Sequence, residues 1–287
     1  MNPDKIAFLV DSCADLEFEY RKGKPIYVVP LRISCDDGDY SDGENINNDD
    51  IYRRQAAGQL PRTSLPDMLR VAETLEQIRE DGYEKVIALP LSSGLSGTHN
   101  MIRLQCEERK DLETAVFETL SGSLGIGMVV LQLWEDIQGG MDWKTLVEER
   151  APFLLENTYP YFSVDTLEYL QKGGRIGKIT AMAGTLLSIK PLIGFAENGE
   201  LVNVAKVRGR KQVQGKLIEL VKEHLGEHKR FNLAVANGGD PEGMEELKEQ
   251  LLAALPGSQN IWSARMDATL ATYVGKGMLG AAVQILD

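Results

Sequence analysis

Cysteine and histidine are scarce in this chain, with three of each among 287 residues. The cysteines, Cys13, Cys35 and Cys106, are odd in number and far apart, so they match neither a disulfide framework nor a zinc-binding pattern. Free thiols are typical of proteins in a reducing compartment. We therefore expect a cytoplasmic protein that needs no metal and no cofactor.

Long hydrophobic runs and an excess of basic residues are also absent. The first apolar run, residues 6–10, is too short for a signal peptide, and no later run approaches the roughly 20 residues of a membrane-spanning helix. The chain has 31 basic and 43 acidic residues, a net charge of −12, which disfavours binding to nucleic acids and to anionic lipid surfaces. The sequence thus predicts no nucleic-acid partner and no stable membrane insertion.

Apolar runs alternate with helix-like segments in the first half of the chain. Runs at 6–10, 25–33 and 85–91 predict buried strands, with helices between the later ones. Such alternation is typical of a parallel sheet covered by helices on both faces. Since 287 residues suggest about two domains, we assign residues 1–158 to an N-terminal three-layer α/β domain.

The pattern changes in the second half. Strand-like runs at 189–195 and 201–207 are separated by Asn198-Gly199, a strong hairpin signal. Because a hairpin and flanking helices imply mixed strand directions, residues 159–287 are predicted to form an α+β domain. The fold class is therefore α/β, with a parallel-sheet domain followed by a mixed-sheet domain.

Hydroxyl side chains cluster where the run at 85–91 ends. Ser92, Ser93 and Ser96 lie among glycines and a threonine, directly before a helix-like segment. Free N–H groups at a helix start, together with hydroxyl donors, can bind a phosphate or a carboxylate. Asp11 and Ser121 also follow predicted strands, so they could converge with these serines on one crevice at the sheet edge.

Two function classes remain open from these residues. One is a binding protein, and the other is an enzyme that transfers phosphoryl or acyl groups, with Asp11 or Ser93 as nucleophile and His99 as base. The chain has no G-x-S-x-G elbow, and an aspartate at a strand end is more often a turn cap. These residues alone leave both classes open.

Taken together, the motifs resemble those of the DegV family. The resemblance is carried by VDSCADL (10–16), TSLP (63–66), LSSGLSGT (91–98), DTLEYLQKGGRI (165–176), IKPL (189–192) and KVR (206–208). It implies two domains that bind one long-chain fatty acid between them, with no catalysis by the chain itself. Relatives of this kind present the acid to a separate fatty acid kinase, which phosphorylates the carboxylate to an acyl phosphate.

The resemblance also implies roles for particular residues. Thr63 and Ser93 should hydrogen-bond the carboxylate, and Arg175 and Arg208 should lie toward the kinase, with Arg175 also near the ligand. The remaining hydroxyl residues expected beside the ligand are Ser64, Ser92 and Ser96.

The chain departs from the family pattern near its C-terminus. Where the family usually shows His-x-Gly-Pro-Gly, this chain has Tyr273 and Lys276. The family's histidine is expected to touch the ligand's head group, so we place both residues there. Tyr273 can donate a hydrogen bond and Lys276 can supply a charge.

The implied ligand is palmitate, stearate or oleate. Burying an acyl chain is favourable by about 0.8 kcal/mol per CH₂, so a long tail supplies ample binding free energy. Apolar residues of the second domain are the candidates for the tail pocket. They are Met182, Leu186, Leu187, Ile189, Leu192 and Ile193.

Overall fold

A parallel four-stranded sheet and a small antiparallel sheet occupy the first 116 residues. The computed structural model describes residues 2–182 and 189–287, without the side chains of 180–182. The strands of this half are β1 (Ile6–Asp11), β2 (Ile26–Val29), β3 (Arg32–Cys35), β4 (Gly38–Ser41), β5 (Arg62–Ser64), β6 (Lys85–Ala88) and β7 (Glu113–Val116). The parallel sheet has the order β2-β1-β6-β7, and the antiparallel sheet has the order β4-β3-β5.

Helices cover both faces of the parallel sheet. Every residue of β1 is buried, as expected for a central strand with helices on each side. One face packs against two helices through Leu75, Ile78 and Ile102, and the other packs against a long apolar helix. The helices of this half are α1 (Phe18–Arg21), α2 (Asn48–Ala56), α3 (Met68–Glu80), α4 (Thr98–Glu108), α5 (Leu124–Gln138), α6 (Trp143–Thr145) and α7 (Ala151–Glu156).

A separate six-stranded mixed sheet forms the second half. Its strands are β8 (Thr158–Ser163), β9 (Ile189–Phe195), β10 (Leu201–Arg208), β11 (Phe231–Gly238), β12 (Ile261–Arg265) and β13 (Met278–Ile285), in the order β10-β9-β8-β13-β11-β12. Only the β11–β12 pair is parallel. The helices are α8 (Glu168–Gly173), α9 (Val213–Leu225), α10 (Pro241–Ala254) and α11 (Ala268–Val274).

The two halves share one apolar core. Helix α5 is buried almost throughout and packs against both large sheets, whereas α9 and α10 cover the other face of the six-stranded sheet. The predicted α/β class with a parallel sheet and a separate mixed sheet is confirmed. The boundary at 158/159 stays a prediction, although β8 begins at Thr158. Among the described residues, every helix is too short or too polar to cross a bilayer.

Two local predictions of secondary structure were wrong. Residues 25–33 form two strands in different sheets, because Pro30 has no N–H to donate to a ladder. The composition of residues 63–67 also predicts the start of a helix, but Thr63 belongs to β5, and α3 begins only at Met68 with Asp67 as its N-cap. Pro66 explains the difference, since it keeps the residue before it extended.

One predicted element cannot be compared with the structure, and two observed elements were not predicted. The apolar residues 180–187 predict a helix, but most of this range lies outside the described residues. The described part of the chain has a short 3-10 helix here, Gly177–Met182. Helix α11 and the small antiparallel sheet were not predicted. The predicted Asn198-Gly199 hairpin is confirmed, because β9 and β10 pair antiparallel across it.

Groups from the first half fix the position of α11. The carboxylate of Asp42 accepts hydrogen bonds from the N–H groups of Ala268 and Thr269, each at 3.0 Å. The side-chain amides of Asn48 and Gln55 donate to backbone carbonyls within and just before α11. These buried contacts hold a helix of the second half in a set orientation against the first.

A second connection lies at the hairpin between β9 and β10. Ser92 is buried, and its hydroxyl donates to the carbonyl of Gly199 at 2.9 Å. The two loops are so close that a Cβ on Gly94 would lie 2.5 Å from the carbonyl carbon of Gly199. The hydroxyl cluster after β6 therefore includes a structural contact between the halves of the chain.

Candidate ligand-binding site

A cavity lies between α5, α11 and one face of the six-stranded sheet. The space between its walls, including the open mouth, amounts to about 930 Å³. Most of its wall is apolar and comes from both halves of the chain. Representative lining residues are Leu91, Leu124, Phe162, Phe195, Leu201 and Met266.

Small side chains on two central strands leave this space open. Ala234 of β11 lies opposite Ala282 of β13, and Ala236 lies opposite Gly280. All four residues line the cavity, and each is almost completely buried. Because side chains that end at Cβ do not reach α5, a groove remains between the sheet and the helix.

Polar groups collect at the more exposed end of the cavity. The Thr63 hydroxyl and the Tyr273 hydroxyl lie 2.6 Å apart, and both residues are half-buried. The guanidinium carbon of the exposed Arg175 lies 4.9 Å from the centre of the Tyr273 ring. Two neutral donors and one permanent cation therefore border the mouth, while the alanines of the sheet line the buried end.

Three separate elements bring these side chains together. Thr63 lies on β5, where it pairs with the buried Ile33, and Tyr273 lies in the last turn of α11. Arg175 follows α8, and one guanidinium nitrogen donates to the carbonyl of Gly173 at 2.8 Å. Gly173 also makes room for the aromatic ring, since a Cβ there would lie 2.3 Å from Cδ1 of Tyr273.

Only some of the ligand-binding residues predicted from the sequence border the cavity. Thr63, Ser96, Arg175 and Tyr273 are among the lining residues. Ser93 is not: it is exposed, and its N–H donates to Oε1 of Glu118 at 3.1 Å.

The other predicted residues also lie outside the described lining. Ser92 holds the Gly199 carbonyl, as described above. Ser64 points away from Thr63, because successive side chains of a strand alternate between its faces. Arg208, at the end of β10, and Lys276, in the turn after α11, are exposed.

Of the residues predicted for the acyl tail, the three whose side chains the structure describes do not line the cavity. Leu192 packs on the opposite face of the sheet, in the core that α9 and α10 cover. Ile193 is buried on the cavity side but outside the lining, and Ile189 is half-buried outside it. The remaining candidates fall outside the described residues or side chains. They are Met182, Leu186 and Leu187.

The groups that the enzyme alternative would use have other partners. Asp11 is fully buried, and its carboxylate accepts hydrogen bonds from the N–H groups of Leu91 (2.7 Å) and Cys13 (3.0 Å). A serine nucleophile needs a hydrogen bond to its base. Among the described contacts, the Ser93 N–H donates to Glu118 and no hydrogen bond joins Ser93 to His99, whose Nδ1 lies 3.8 Å from the same carboxylate.

Glu118 lies at the centre of a second polar cluster, which it forms with Ser93 and His99. Burial alone would raise the pKa of Glu118, but hydrogen bonds from Ser93 and Leu120 and the charge of His99 lower it below its ordinary value. The carboxylate therefore holds the ends of the loops around it together through hydrogen bonds.

Buried carboxyl groups lie behind α11. Burial raises the pKa of Asp11 to about 7 and that of Asp15 to about 7. Burial and the neighbouring Asp42 and Asp15 also raise the pKa of Asp267, which caps α11 by accepting from the Leu270 N–H. Asp15 in turn accepts from the Asp267 N–H at 2.8 Å and from the Ser123 hydroxyl.

These carboxyl groups predict that the protein loses stability as the pH rises from about 4 to about 7. Because each group has a higher pKa in the folded protein than in the unfolded chain, folding favours its neutral form. Its contribution to the free energy of unfolding is therefore complete below pH 3.8 and is lost as the pH rises through about 7. Asp267→Asn should retain the cap and remove one acid. We expect urea unfolding to show a smaller loss of stability between pH 5 and pH 8 for this variant than for the wild type.

Asp111→Asn provides the matched control for the pH dependence. Arg109 lowers the pKa of the exposed Asp111 to about 2, so this group is charged throughout the range tested. For this control, the free energy of unfolding should change with pH as it does for the wild type between pH 5 and pH 8. If the free energy of unfolding of Asp267→Asn changed with pH as steeply as that of the wild type, a raised pKa of Asp267 would be contradicted.

The chain matches the model of a known family over residues 5–285, and that family is described as the uncharacterised DegV proteins. A DegV domain-containing protein of Clostridium acetobutylicum is 34% identical over 280 residues, which cover 98% of this chain and 99% of the relative. Another, from Clostridium perfringens, is 33% identical over 283 residues and covers 98% of each chain.

Solved structures share the whole architecture. A DegV family protein of Thermus thermophilus, described by its fatty acid binding, superposes with a TM-score of 0.91 at 28% identity, covering 98% of this chain and 99% of the other. A fatty acid binding DegV family protein of Streptococcus agalactiae gives a TM-score of 0.86 at 28% identity, with the same coverage. The two-sheet architecture therefore occurs in proteins described as binding fatty acids.

Proposed function

Because the chain belongs to the DegV family, we propose that it binds one long-chain fatty acid in the cavity between its two large sheets. The carboxylate lies at the mouth, between Thr63, Tyr273 and Arg175, and the acyl chain runs along the alanine-lined groove. The observation that carries this proposal is the polarity of the cavity: hydroxyl and guanidinium donors at its exposed end and Cβ-only side chains at its buried end.

The donor set suits a carboxylate. In the bound state the hydroxyls of Thr63 and Tyr273 donate to the two carboxylate oxygens instead of to each other. Hydrogen bonds to a charged acceptor are worth about 1.5–3 kcal/mol each. Arg175 adds a compensating charge at the open end, where the guanidinium keeps contact with solvent.

The tail supplies most of the free energy of binding. Each buried CH₂ contributes about 0.8 kcal/mol, and part of the total offsets the lost freedom of the ligand. A saturated or monounsaturated chain such as that of palmitate, stearate or oleate matches the proposed site. The chain itself needs no catalytic residue for this function.

Native mass spectrometry and ligand titration test the proposal. Protein purified without detergent should carry one fatty acid per chain, and delipidated protein should take up palmitate saturably at one equivalent. Hexadecanol, which has the same tail but no carboxylate, should bind more weakly. The absence of both co-purified acid and saturable palmitate uptake would overturn the proposed function.

We also propose that the loaded protein presents its carboxylate to a separate fatty acid kinase. The carboxylate end lies at the mouth, and the segment around it is basic: residues 172–211 hold eight basic and two acidic residues in a chain of net charge −12. Within the described residues, Arg175 and Arg208 form no ion pair, which leaves both for an anionic partner surface.

A coupled assay tests this second step. Palmitate-loaded protein, a bacterial fatty acid kinase and ATP should yield an acyl phosphate that hydroxylamine traps as a hydroxamate. Arg208→Glu should slow product formation at least about tenfold, since repulsion replaces attraction at the partner face, with unchanged palmitate affinity. No product with the wild-type protein would reject the kinase partnership, and a normal rate for Arg208→Glu would remove Arg208 from that surface.

A further inference from the structure

Thr269 is a buried hydroxyl residue of the cavity wall. Its side chain lines the cavity and is 2% exposed. Its N–H donates to Asp42, but its Oγ1 has no hydrogen-bond partner within the described part of the chain. A buried hydroxyl without a partner is destabilising, whereas valine would fill the same space without that cost.

The other hydroxyls that border the cavity are satisfied by the protein. Thr63 and Tyr273 bond each other, Ser96 bonds Thr98 at 2.8 Å, and Ser123 donates to Asp15. Thr269 therefore differs from its neighbours: its hydroxyl has no partner among the described residues, and a molecule inside the cavity can supply one. This hydroxyl belongs to the buried N-terminal turn of α11, whereas Tyr273, which bonds Thr63, lies in the last turn.

The helix geometry places this hydroxyl along the acyl chain. Thr269 and Tyr273 are four residues apart on α11, so they lie on the same face with a rise of about 6 Å between them. A carboxylate held by Tyr273 would thus have the first few carbons of its chain beside Thr269. A plain methylene there can neither donate nor accept a hydrogen bond.

We propose that Thr269 binds an oxygen substituent near the carboxyl end of the ligand, so that the cavity selects long-chain hydroxy acids over plain ones. This inference rests on the proposed fatty-acid function and names a narrower ligand class. A hydroxyl substituent suits the site because it can both donate to and accept from the threonine. A site that holds an otherwise unpaired polar group discriminates against analogues that lack the matching group.

Competition binding with matched acids tests the proposal. The wild-type protein should bind 3-hydroxyhexadecanoic acid about tenfold more tightly than hexadecanoic acid. Thr269→Val should remove that preference, and Thr269→Ser should retain it. In 16-hydroxyhexadecanoic acid the hydroxyl lies at the far end of the chain, so this acid should show no preference that depends on Thr269.

The outcomes separate this inference from the function on which it rests. If the wild-type protein binds hexadecanoic acid without favouring the 3-hydroxy acid, or if Thr269→Val shifts both affinities equally, the role of Thr269 is rejected and fatty-acid binding stands. Tighter binding of hexadecanoic acid by Thr269→Val, with the preference kept, would also reject it. If neither acid binds, both proposals fail.

Discussion

The double variant Thr63→Val, Tyr273→Phe is expected to bind palmitate at least about 100-fold more weakly than the wild-type protein. Each substitution removes one hydroxyl and keeps the shape of the side chain, so two hydrogen bonds to the carboxylate are lost, at about 1.5–3 kcal/mol each. Phenylalanine retains the ring that packs against Arg175 and Gly173. Fluorescence titration with delipidated protein measures the effect.

The fold should tolerate this double variant. The two hydroxyls bond each other in the free protein, so removing both leaves no orphaned partner. Ser93→Ala is the matched control, because the sequence also predicted that Ser93 holds the carboxylate, but Ser93 lies outside the cavity lining. A normal palmitate affinity in the double variant, or a large loss with Ser93→Ala, would show that the carboxylate is held after β6 instead.

Filling the groove should have the second large effect. Ala282 is buried between Ala234 and Pro160 on the neighbouring strands, and all three line the cavity. Ala282→Leu would place three additional carbons where the acyl chain is proposed to lie. We expect palmitate affinity to fall at least about tenfold, while octanoate, whose chain ends sooner, keeps its wild-type affinity.

Thermal unfolding distinguishes occlusion from misfolding. Overpacking a close-packed core costs about 1–3 kcal/mol, but a side chain that enters an existing cavity costs less. Ala205→Leu, on the edge strand β10 and outside the cavity lining, serves as control and should bind palmitate normally. If Ala282→Leu unfolds, Ala234→Val tests the same wall with a smaller addition. Undiminished palmitate binding by a folded variant would exclude this groove as the tail site.

Local patterns in the sequence predicted most of the fold. Continuous apolar runs indicated β1 and β6, and Asn198-Gly199 indicated the β9–β10 hairpin, because burial on both faces and positive φ in a turn each demand particular residue types. The motifs that resemble the DegV family correctly identified the family. These features depend on residues that are neighbours in the chain or on the order of short motifs.

The candidate site was predicted less well. Both Thr63 and Ser93 lie in motifs that contain several hydroxyl residues, yet only Thr63 lines the cavity. The backbone N–H of Ser93 donates to Glu118 instead. Leu192 was expected at the tail, but it faces α9 and α10. The small residues of β11 and β13 were overlooked, although alanine and glycine at alternate positions of two strand-like segments were a signal that could have found them.

The sequence by itself determined which segments are strands and helices, which residues avoid water, and which family the motifs resemble. The tertiary structure alone decided that Thr63 meets Tyr273 from 210 residues away, that Asp42 caps α11, and that one sheet face holds an open groove while the other is packed. The reason is physical. Hydrophobic periodicity indicates that a side chain is buried. Which sheet or helix it packs against depends on contacts between distant segments of the chain.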